Sequence, residues 1–456
     1  MDENGNVEQA RFHIIEFRGF ERFVQGRLFW EAPVIVQRLC GICPVSHLLC
    51  ASKAMDVVIG ADRLTPTAEK MRRLMHYGQT FQSHVLHFFH LASPDLLFGF
   101  GAPPEQRNVV GVIRSHPEIA KKAVLMRKYG QEVIERTAGK KIHGTGSIPG
   151  GVNKNLSAEE RDFLLKDIDT MLAWSVEGLS ICKKIIQDDA EHLLSFGSFE
   201  SNHLSMVRED GCLDLYDGKL RAKNPEGECI FDQVDPADYL DYIREEVRPW
   251  SYMKFPYIYS LGKETGWYRV GPLARINNCD FIDTAIAERE RKEFMALGGG
   301  RPIHSTMAYH WARMIETVHA AEKIKALLND PDLQGDNLYT EGERRSRGVA
   351  WIEAPRGTLF HHYDVNPDTD QITRANLIVS TTSNNEAMNR ATQIVAKQYL
   401  EGRKEIPEAL LNHIEVGIRA YDPCLSCATH ALGKMGLHVE LLASDGTLLD
   451  EKKRES

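Results

Sequence analysis

Arg38-Leu-Cys-Gly-Ile-Cys-Pro-Val-Ser-His47, near the start of this 456-residue chain, has a counterpart near its end in Asp422-Pro-Cys-Leu-Ser-Cys-Ala-Thr-His430. Each is a Cys-x-x-Cys turn with a histidine shortly after it. Such a turn lets two thiolates face one ion, and soft thiolates select zinc, Cu(I), iron–sulfur clusters or other thiophilic metals. A zinc ribbon spaces its two pairs about 15 to 20 residues apart, whereas Cys40 and Cys43 are separated from Cys424 and Cys427 by most of the chain. A thioredoxin-like pair wants a compact βαβ setting that neither segment offers. The spacing favours a catalytic site of four thiolates flanked by Arg38, His47, Asp422 and His430. A structural zinc staple is the alternative. Two pairs so placed would tie both ends of the chain to one ion, which is rare for a ribbon.

That intervening sequence is mainly helical in its periodicity. Thr65-Pro66 reads as an N-cap and first helical residue. From there Met71, Leu74, Met75, Phe81, Val85, Leu86 and Phe89 recur at three- and four-residue steps until Ser93-Pro94. Ser157 and Glu160 form a capping box ahead of Leu164, Leu165, Ile168, Met171, Leu172 and Leu179, in a helix predicted to reach Leu194. Further helical patterns run over 303–328 and 385–401. Strand signals are short, at Phe12–Phe17 and more weakly at Leu377–Val379. Segment 200–280 is rich in Gly, Pro, Asp and Tyr and predicts irregular structure with small hairpins. The fold class expected is mainly α with small peripheral β elements (α+β), without a linker that divides it.

Composition narrows the function classes. Hydrophobic residues are 43% and charged residues 26%, as in a globular protein. Lys plus Arg is 55 against 64 Asp plus Glu, a formal net charge of −9, which disfavours a nucleic-acid partner. No apolar run approaches the ~18 to 20 residues of a membrane span. Met1–Arg11 lacks the charged-then-apolar pattern of a secretory signal, and a cytoplasmic location, or export in the company of a partner, is expected. Nine cysteines are too sparse for a disulfide framework.

Both cysteine motifs match, in full, the two signatures of the [NiFe] hydrogenase large subunit, Arg-x-Cys-Gly-x-Cys-x-x-x-His and Asp-Pro-Cys-x-x-Cys-x-x-His. The chain resembles that family over essentially its whole length. Glu16-Phe-Arg-Gly-Phe-Glu21, Gly271-Pro-Leu-Ala-Arg275, Glu353-Ala-Pro-Arg-Gly357 and Thr381-Thr-Ser-Asn384 belong to the same likeness. The wording around Cys40 is most similar to the cytoplasmic, bidirectional, NAD-linked subgroup.

The resemblance implies long central helices with the metal site between the N- and C-terminal motifs. It implies that Cys40 and Cys424 bind nickel terminally while Cys43 and Cys427 bridge nickel and an iron that carries CO and CN ligands. The reaction implied is reversible heterolytic cleavage of dihydrogen (H2), with electrons leaving one at a time. By resemblance Arg356 holds a fixed positive charge over the open metal position, and Asp422 and Asp95 hold Arg356. His47 donates a hydrogen bond to a cysteine sulfur, and Pro355 and Thr381 face the cofactor, Thr381 through a cyanide. A Mg site is implied at Glu21, His430 and the backbone carbonyl near Leu377.

The partners implied are a small Fe–S subunit together with flavin- and NAD-binding diaphorase subunits, because the chain has no ferredoxin-like cysteine run and no nucleotide fingerprint of its own. The family's opening Thr-Arg-Ile-Glu-Gly-His motif, whose glutamate carries protons from the terminal cysteine, has no match in this sequence. Residues 1–430 read as the hydrogenase domain. Residues 431–456 read as a maturation extension that an endopeptidase removes after His430. Competing readings are a deazaflavin or ferredoxin acceptor, and a scaffold subunit like those of quinone oxidoreductases, or one stapled by zinc.

Outside the motifs, plainer readings hold. His84, His87 and His90 read as core or surface histidines, Cys50 as a buried small hydrophobe, and Gly298–Gly300 as a loop.

Overall fold

Prolines open the helices that carry the first cysteine motif and its support, because a first-turn residue has no helical partner for its amide. In the computed structural model, which describes residues 1–14, 19–403, 405–406, 408–424 and 437–454, α1 spans Pro44–Val58 and α2 spans Pro66–Leu86. The Thr65 hydroxyl caps α2 by accepting the Ala68 amide. Downstream lie α3 (Pro117–Ala138), α4 (Ala158–Asp188), α5 (Ala308–Leu328), α6 (Asn385–Leu400) and α7 (Glu408–Arg419).

Helices α2, α3, α4 and α5 pack into the centre of the molecule, their apolar side chains forming the largest core. Helix α5 is buried nearly all round, from Tyr309 and Trp311 to Ile324. Helices α2 and α3 touch through glycine: a Cβ on Gly130 would lie 2.9 Å from both the Gln82 amide and the Gly78 carbonyl oxygen. No larger residue fits between the two backbones there without moving one of them.

Several expected boundaries move. The helix from Pro66 does not stop at Ser93-Pro94. It widens into a π turn over His87–Ala92 and resumes as Ser93–Phe98, with Pro94 in the first turn, where its missing amide costs nothing. The capping box of Ser157 and Glu160 is present, each side chain bonding the other's amide at 3.0–3.1 Å. That helix breaks at Asp189 (φ −135°, ψ 47°) before a short segment Ala190–Ser195, so it falls short of Leu194 as one rod. The pattern over 303–328 becomes helical only from Ala308. Phe12–Ile14 forms no strand, and residues 15–17 of that expectation lie outside the described residues.

Segment 200–280 is more ordered than its composition suggests. Strands β1 (Asn202–Val207), β2 (Lys219–Lys223), β3 (Cys229–Val234) and β4 (Tyr268–Arg269) form a sheet in the order β3-β2-β1-β4, antiparallel except for the parallel pair β1 and β4. A second sheet is an antiparallel meander of β5 (Arg347–Ala354), β6 (Gly357–Val365) and β7 (Ile372–Ile378). Strands β5 and β6 join through Pro355 and Arg356, and His361 of β6 lies opposite Ala350 and Leu377. Helix α1 lies on this sheet, with Cys50 Sγ donating to the carbonyls of Ala350 and Leu359.

Beyond the second cysteine motif, Leu437–Leu442 and Leu448–Arg454 pair as a hairpin. Its Asp450 carboxylate accepts the Ile406 amide at 2.7 Å. The architecture is mainly helical with small sheets, as the periodicity implies. Among the described residues no helix is long and apolar enough to cross a membrane.

Candidate metal centre

Cys40 leaves the short turn Gln37–Leu39 in extended backbone, and Cys43 caps the N-terminus of α1. The Cys43 amide donates to Cys40 Sγ at 3.2 Å, so the positive end of α1 favours negative charge on that sulfur. Helix α2 clamps the intervening loop. Gln79 and Gln82 each donate to the Ile42 carbonyl at 3.0 Å, and Gln79 accepts the Val45 amide. Neither glutamine belongs to a quoted motif. Their signal in the sequence is a polar pair three residues apart, on one helical face among apolar neighbours.

The second motif arrives at the end of α7. His87 donates from Nε2 to the Arg419 carbonyl at 2.7 Å, and Arg313 to the Ala420 carbonyl at 2.8 Å, which satisfies carbonyls that the helix end leaves open. Asp422 then turns through a left-handed conformation (φ 51°), and the Cys424 amide donates to Thr381 Oγ1 at 3.0 Å. This places Cys424 Sγ 3.8 Å from Cys40 Sγ and 3.7 Å from Cys43 Sγ. Sulfurs bound tetrahedrally at about 2.3 Å to one ion stand about 3.8 Å apart. The three are the one such ligand cluster among the described residues. Cys427 and His430 lie outside the described residues.

The chemistry of this donor set fits a metal. Hydrogen bonding to Cys40 and burial push the Cys424 thiol up to about 12, and hydrogen bonds to Cys40 and Cys424 together with burial raise Cys43 well above the ordinary thiol range. Thiolates this crowded and this dry need a cation among them, and metal binding releases their protons.

Arg356, in the β5–β6 hairpin and 2% exposed, lies close enough to Cys424 for its charge to favour that thiolate. It donates from Nε to the Asp422 carbonyl, from Nη2 to Asp422 Oδ1 at 3.0 Å, and from Nη1 to Ser83 Oγ at 3.5 Å. Burial pushes the Asp422 carboxyl up to about 6 against the opposing pull of Arg356 and Arg313. Asp95 does not hold Arg356 as expected. Its carboxylate pairs with Arg107 at 2.5 Å and with Arg419, and so pins the end of α7 that delivers Asp422 and Cys424. Those partners lie 12 and 324 positions away, and no local motif could name them.

Beneath the hairpin runs a network that the sequence reading missed. Arg275 donates to Glu353 Oε2 at 2.8 Å, to the Ala354 and Pro355 carbonyls, and to both Glu316 oxygens at 2.6 Å. His84 Nε2 bonds Glu316 Oε2 at 2.9 Å. Although burial opposes it, the Arg275 pairing draws Glu316 down to about 2. The quoted segments around Arg275 and Glu353 are thus two halves of one buried brace under Arg356. His84 and His87 are buried with structural partners, while His90 is only partly buried.

His47, on the first turn of α1, is buried with Nδ1 3.3 Å from His361 Nε2. Burial lowers it to about 4 against the attraction of Cys40, so its ring is neutral. On β7, opposite His361, Glu21 Oε1 accepts the Leu377 amide at 2.9 Å, with Lys254 Nζ 3.5 Å from the same carboxylate.

The sequence pattern described as nickel-dependent hydrogenase matches residues 18–98 and 185–430. The chain is similar to the beta subunit of the NAD-reducing hydrogenase HoxS of Cupriavidus necator, at 47% identity over 100% of this chain and 96% of the relative. It is also similar to the corresponding chain of the F420-non-reducing hydrogenase of Methanothermobacter thermautotrophicus, at 42% identity over 98% and 95%. A crystal structure of an NAD+-reducing [NiFe]-hydrogenase in the H2-reduced state superposes with a TM-score of 0.91 and 55% identity, covering 94% of this chain and 95% of that one. The Ni-Fe-Se hydrogenase of Desulfovibrio vulgaris Hildenborough, at 23% identity and a TM-score of 0.75, shares the fold.

Proposed function

The chain belongs to the nickel-dependent hydrogenase family, and from that premise we propose that it is the catalytic large subunit of a [NiFe] hydrogenase whose electrons pass to NAD. One observation carries the reading: cysteines from opposite ends of the chain converge at 3.7–3.8 Å, near a buried guanidinium that Asp422 fixes. A scaffold subunit needs neither feature, and a structural zinc site does not need the second. The NAD linkage is supported by the 55% identity to the NAD+-reducing structure.

In this reading Cys40, Cys43 and Cys424, with Cys427, hold nickel and an iron that carries CO and CN. When bound, that centre supplies the redox chemistry for reversible heterolytic cleavage of dihydrogen. Arg356 contributes a fixed positive charge in a dry site, where preorganised charge acts most strongly. Asp422 fixes the guanidinium's orientation through its side chain and backbone at once. Cys424 Sγ receives the proton of heterolysis, and Thr381 anchors the Cys424 backbone while facing the cofactor. Glu21 and the Leu377 carbonyl, with His430, serve a Mg ion.

The electron route runs to a small Fe–S subunit, then to flavin- and NAD-binding diaphorase subunits; its NAD end agrees with the name of the Cupriavidus relative, an NAD-reducing hydrogenase. The complex works in the cytoplasm, and an endopeptidase trims the chain after His430.

The test uses the complex purified from its own host. Nickel, iron and zinc are counted per chain, and dihydrogen-dependent reduction of a viologen dye and of NAD is assayed. About one nickel per chain with dihydrogen uptake is expected, and both should be lost in Cys424→Ser. One zinc without nickel overturns the catalytic reading. Uptake with dye but never with NAD overturns the NAD linkage.

A further inference from the structure

His361 and Tyr363 lie two residues apart on β6, so their side chains share the face of the sheet that α1 covers. His47, from α1, meets that face. The result is a buried polar chain of three groups. His47 Nδ1 is 3.3 Å from His361 Nε2, and His361 Nδ1 is 2.7 Å from the Tyr363 hydroxyl. All three side chains are at most 1% exposed. Nothing in the two cysteine motifs points to His361 or Tyr363.

The direction of the hydrogen bonds follows from counting donors. Burial keeps the phenol protonated, and burial with the neighbouring His47 imidazole keeps His361 neutral. Among the described residues His361 Nδ1 is the hydrogen-bond partner of the phenol. If Tyr363 donates to His361 Nδ1, then His361 carries its proton on Nε2 and donates to His47 Nδ1. His47 must then carry its own proton on Nε2. The reverse arrangement buries a phenolic proton without an acceptor, at the full desolvation cost of that group.

We propose that Tyr363 and His361 are positioning residues that fix His47 as its Nε2–H tautomer, so that the ring offers a donor, and not a lone pair, to the cysteine sulfur that the resemblance assigns it. This rests on the hydrogenase reading above and adds to it the residues that set the polarity of the histidine. The phenol acts at two removes. It does not touch the cluster, and it moves no proton during turnover. A second-shell bond that fixes the tautomer of a histidine beside a metal site is a general device. Here the phenol and two imidazoles hand one donor–acceptor direction along the chain.

The test compares Tyr363→Phe with the unchanged complex, both carrying full nickel and iron. In solid-state NMR of histidine-¹⁵N-labelled enzyme, His47 should show Nε2 protonated and Nδ1 bare. Tyr363→Phe should add a second population with the proton on Nδ1. In the infrared spectrum, losing a donor to a thiolate leaves more electron density on the iron. The CO stretch of the second population should therefore move to lower wavenumber and split the band.

His361→Phe should give a comparable band shift, and Tyr363→Phe should add nothing in a His361→Phe background, because the phenol acts only through His361. A packing role predicts instead a lowered melting temperature with unchanged bands and independent effects. An unsplit, unshifted band in a fully loaded Tyr363→Phe enzyme overturns the proposal, as does Nδ1–H on His47 in the unchanged protein. Absence of nickel and of CO bands from the unchanged complex would overturn the hydrogenase reading itself, and so is distinguishable.

Discussion

Asp422→Asn isolates the charge that holds Arg356. Asparagine has the shape of aspartate and tolerates the left-handed φ of 51° at this position, so the backbone and its carbonyl bond to Arg356 Nε survive. What changes is the 3.0 Å bond from Nη2, which goes from charge-assisted to neutral on the acceptor side. The donor stays charged, so both bonds fall within the about 1.5–3 kcal/mol of hydrogen bonds that involve a charged group, and the guanidinium loses about 1 kcal/mol of orienting energy. If that energy is expressed in the transition state, kcat falls about 5-fold, at 1.36 kcal/mol per decade.

Stability should behave differently. Burial raises the Asp422 carboxyl to about 6 even with Arg356 and Arg313 nearby, so ionising it costs the fold more than the pair returns. The neutral variant should therefore melt no lower than the unchanged protein. The sign of the pH effect follows. A folded-state value raised above the unfolded one contributes stability that is full below the unfolded value of about 3.9 and is lost as pH rises through 6. Activity runs the other way, falling as pH drops below 6 in the unchanged enzyme and losing that limb in the variant. The assay is dihydrogen-dependent viologen reduction per nickel, with calorimetry alongside. An Asn variant with full nickel and an unchanged rate, or one that melts many degrees lower, would refute the reasoning.

Other positions report on the frame. Arg275→Met leaves Glu316 and Glu353 buried without their cation and should cost about 3–5 kcal/mol in a denaturant titration at pH 7. Because the Glu316 value is depressed to about 2, its contribution is full above its unfolded value of about 4.3 and is lost as pH falls toward 2. The gap between variant and parent should narrow below pH 4 for that reason. Gly130→Ala forces a Cβ to 2.9 Å from backbone atoms of α2 and should lower stability by about 1–3 kcal/mol, read as a lower melting temperature. Thr381→Val orphans the Cys424 amide and should cost about 1–3 kcal/mol, while Thr381→Ser, which keeps the acceptor, should restore most of it.

Much of this protein is legible in its residue order, because the signals concerned are local. Both Cys-x-x-Cys turns are contiguous. Pro44 and Pro66 mark helix starts by chemistry that acts within one turn, and the Ser157–Glu160 box closes on itself over three residues. Local rules also mark the limit of such reading. The halt expected at Ser93-Pro94 is instead a restart: after a π turn over His87–Ala92 the helix resumes at Ser93, with the proline tolerated in its first turn. The resemblance assigns Asp95 to Arg356, yet its carboxylate answers to Arg107 and Arg419.

The sequence by itself determined the helical body and the two cysteine-bearing ends that meet at Cys40, Cys43 and Cys424. Only the tertiary structure decided which charges and hydrogen bonds surround that meeting: Gln79 and Gln82 clamping the first loop, Arg275 bracing the hairpin of Arg356, and Tyr363 acting through His361 on His47. The physical reason is range. A helix cap or a cysteine turn is satisfied within a few residues, whereas a buried charge or imidazole must find its partner wherever the fold brings one. For Arg356 and Asp422 that partner is 66 positions away, and for His47 and His361 it is 314.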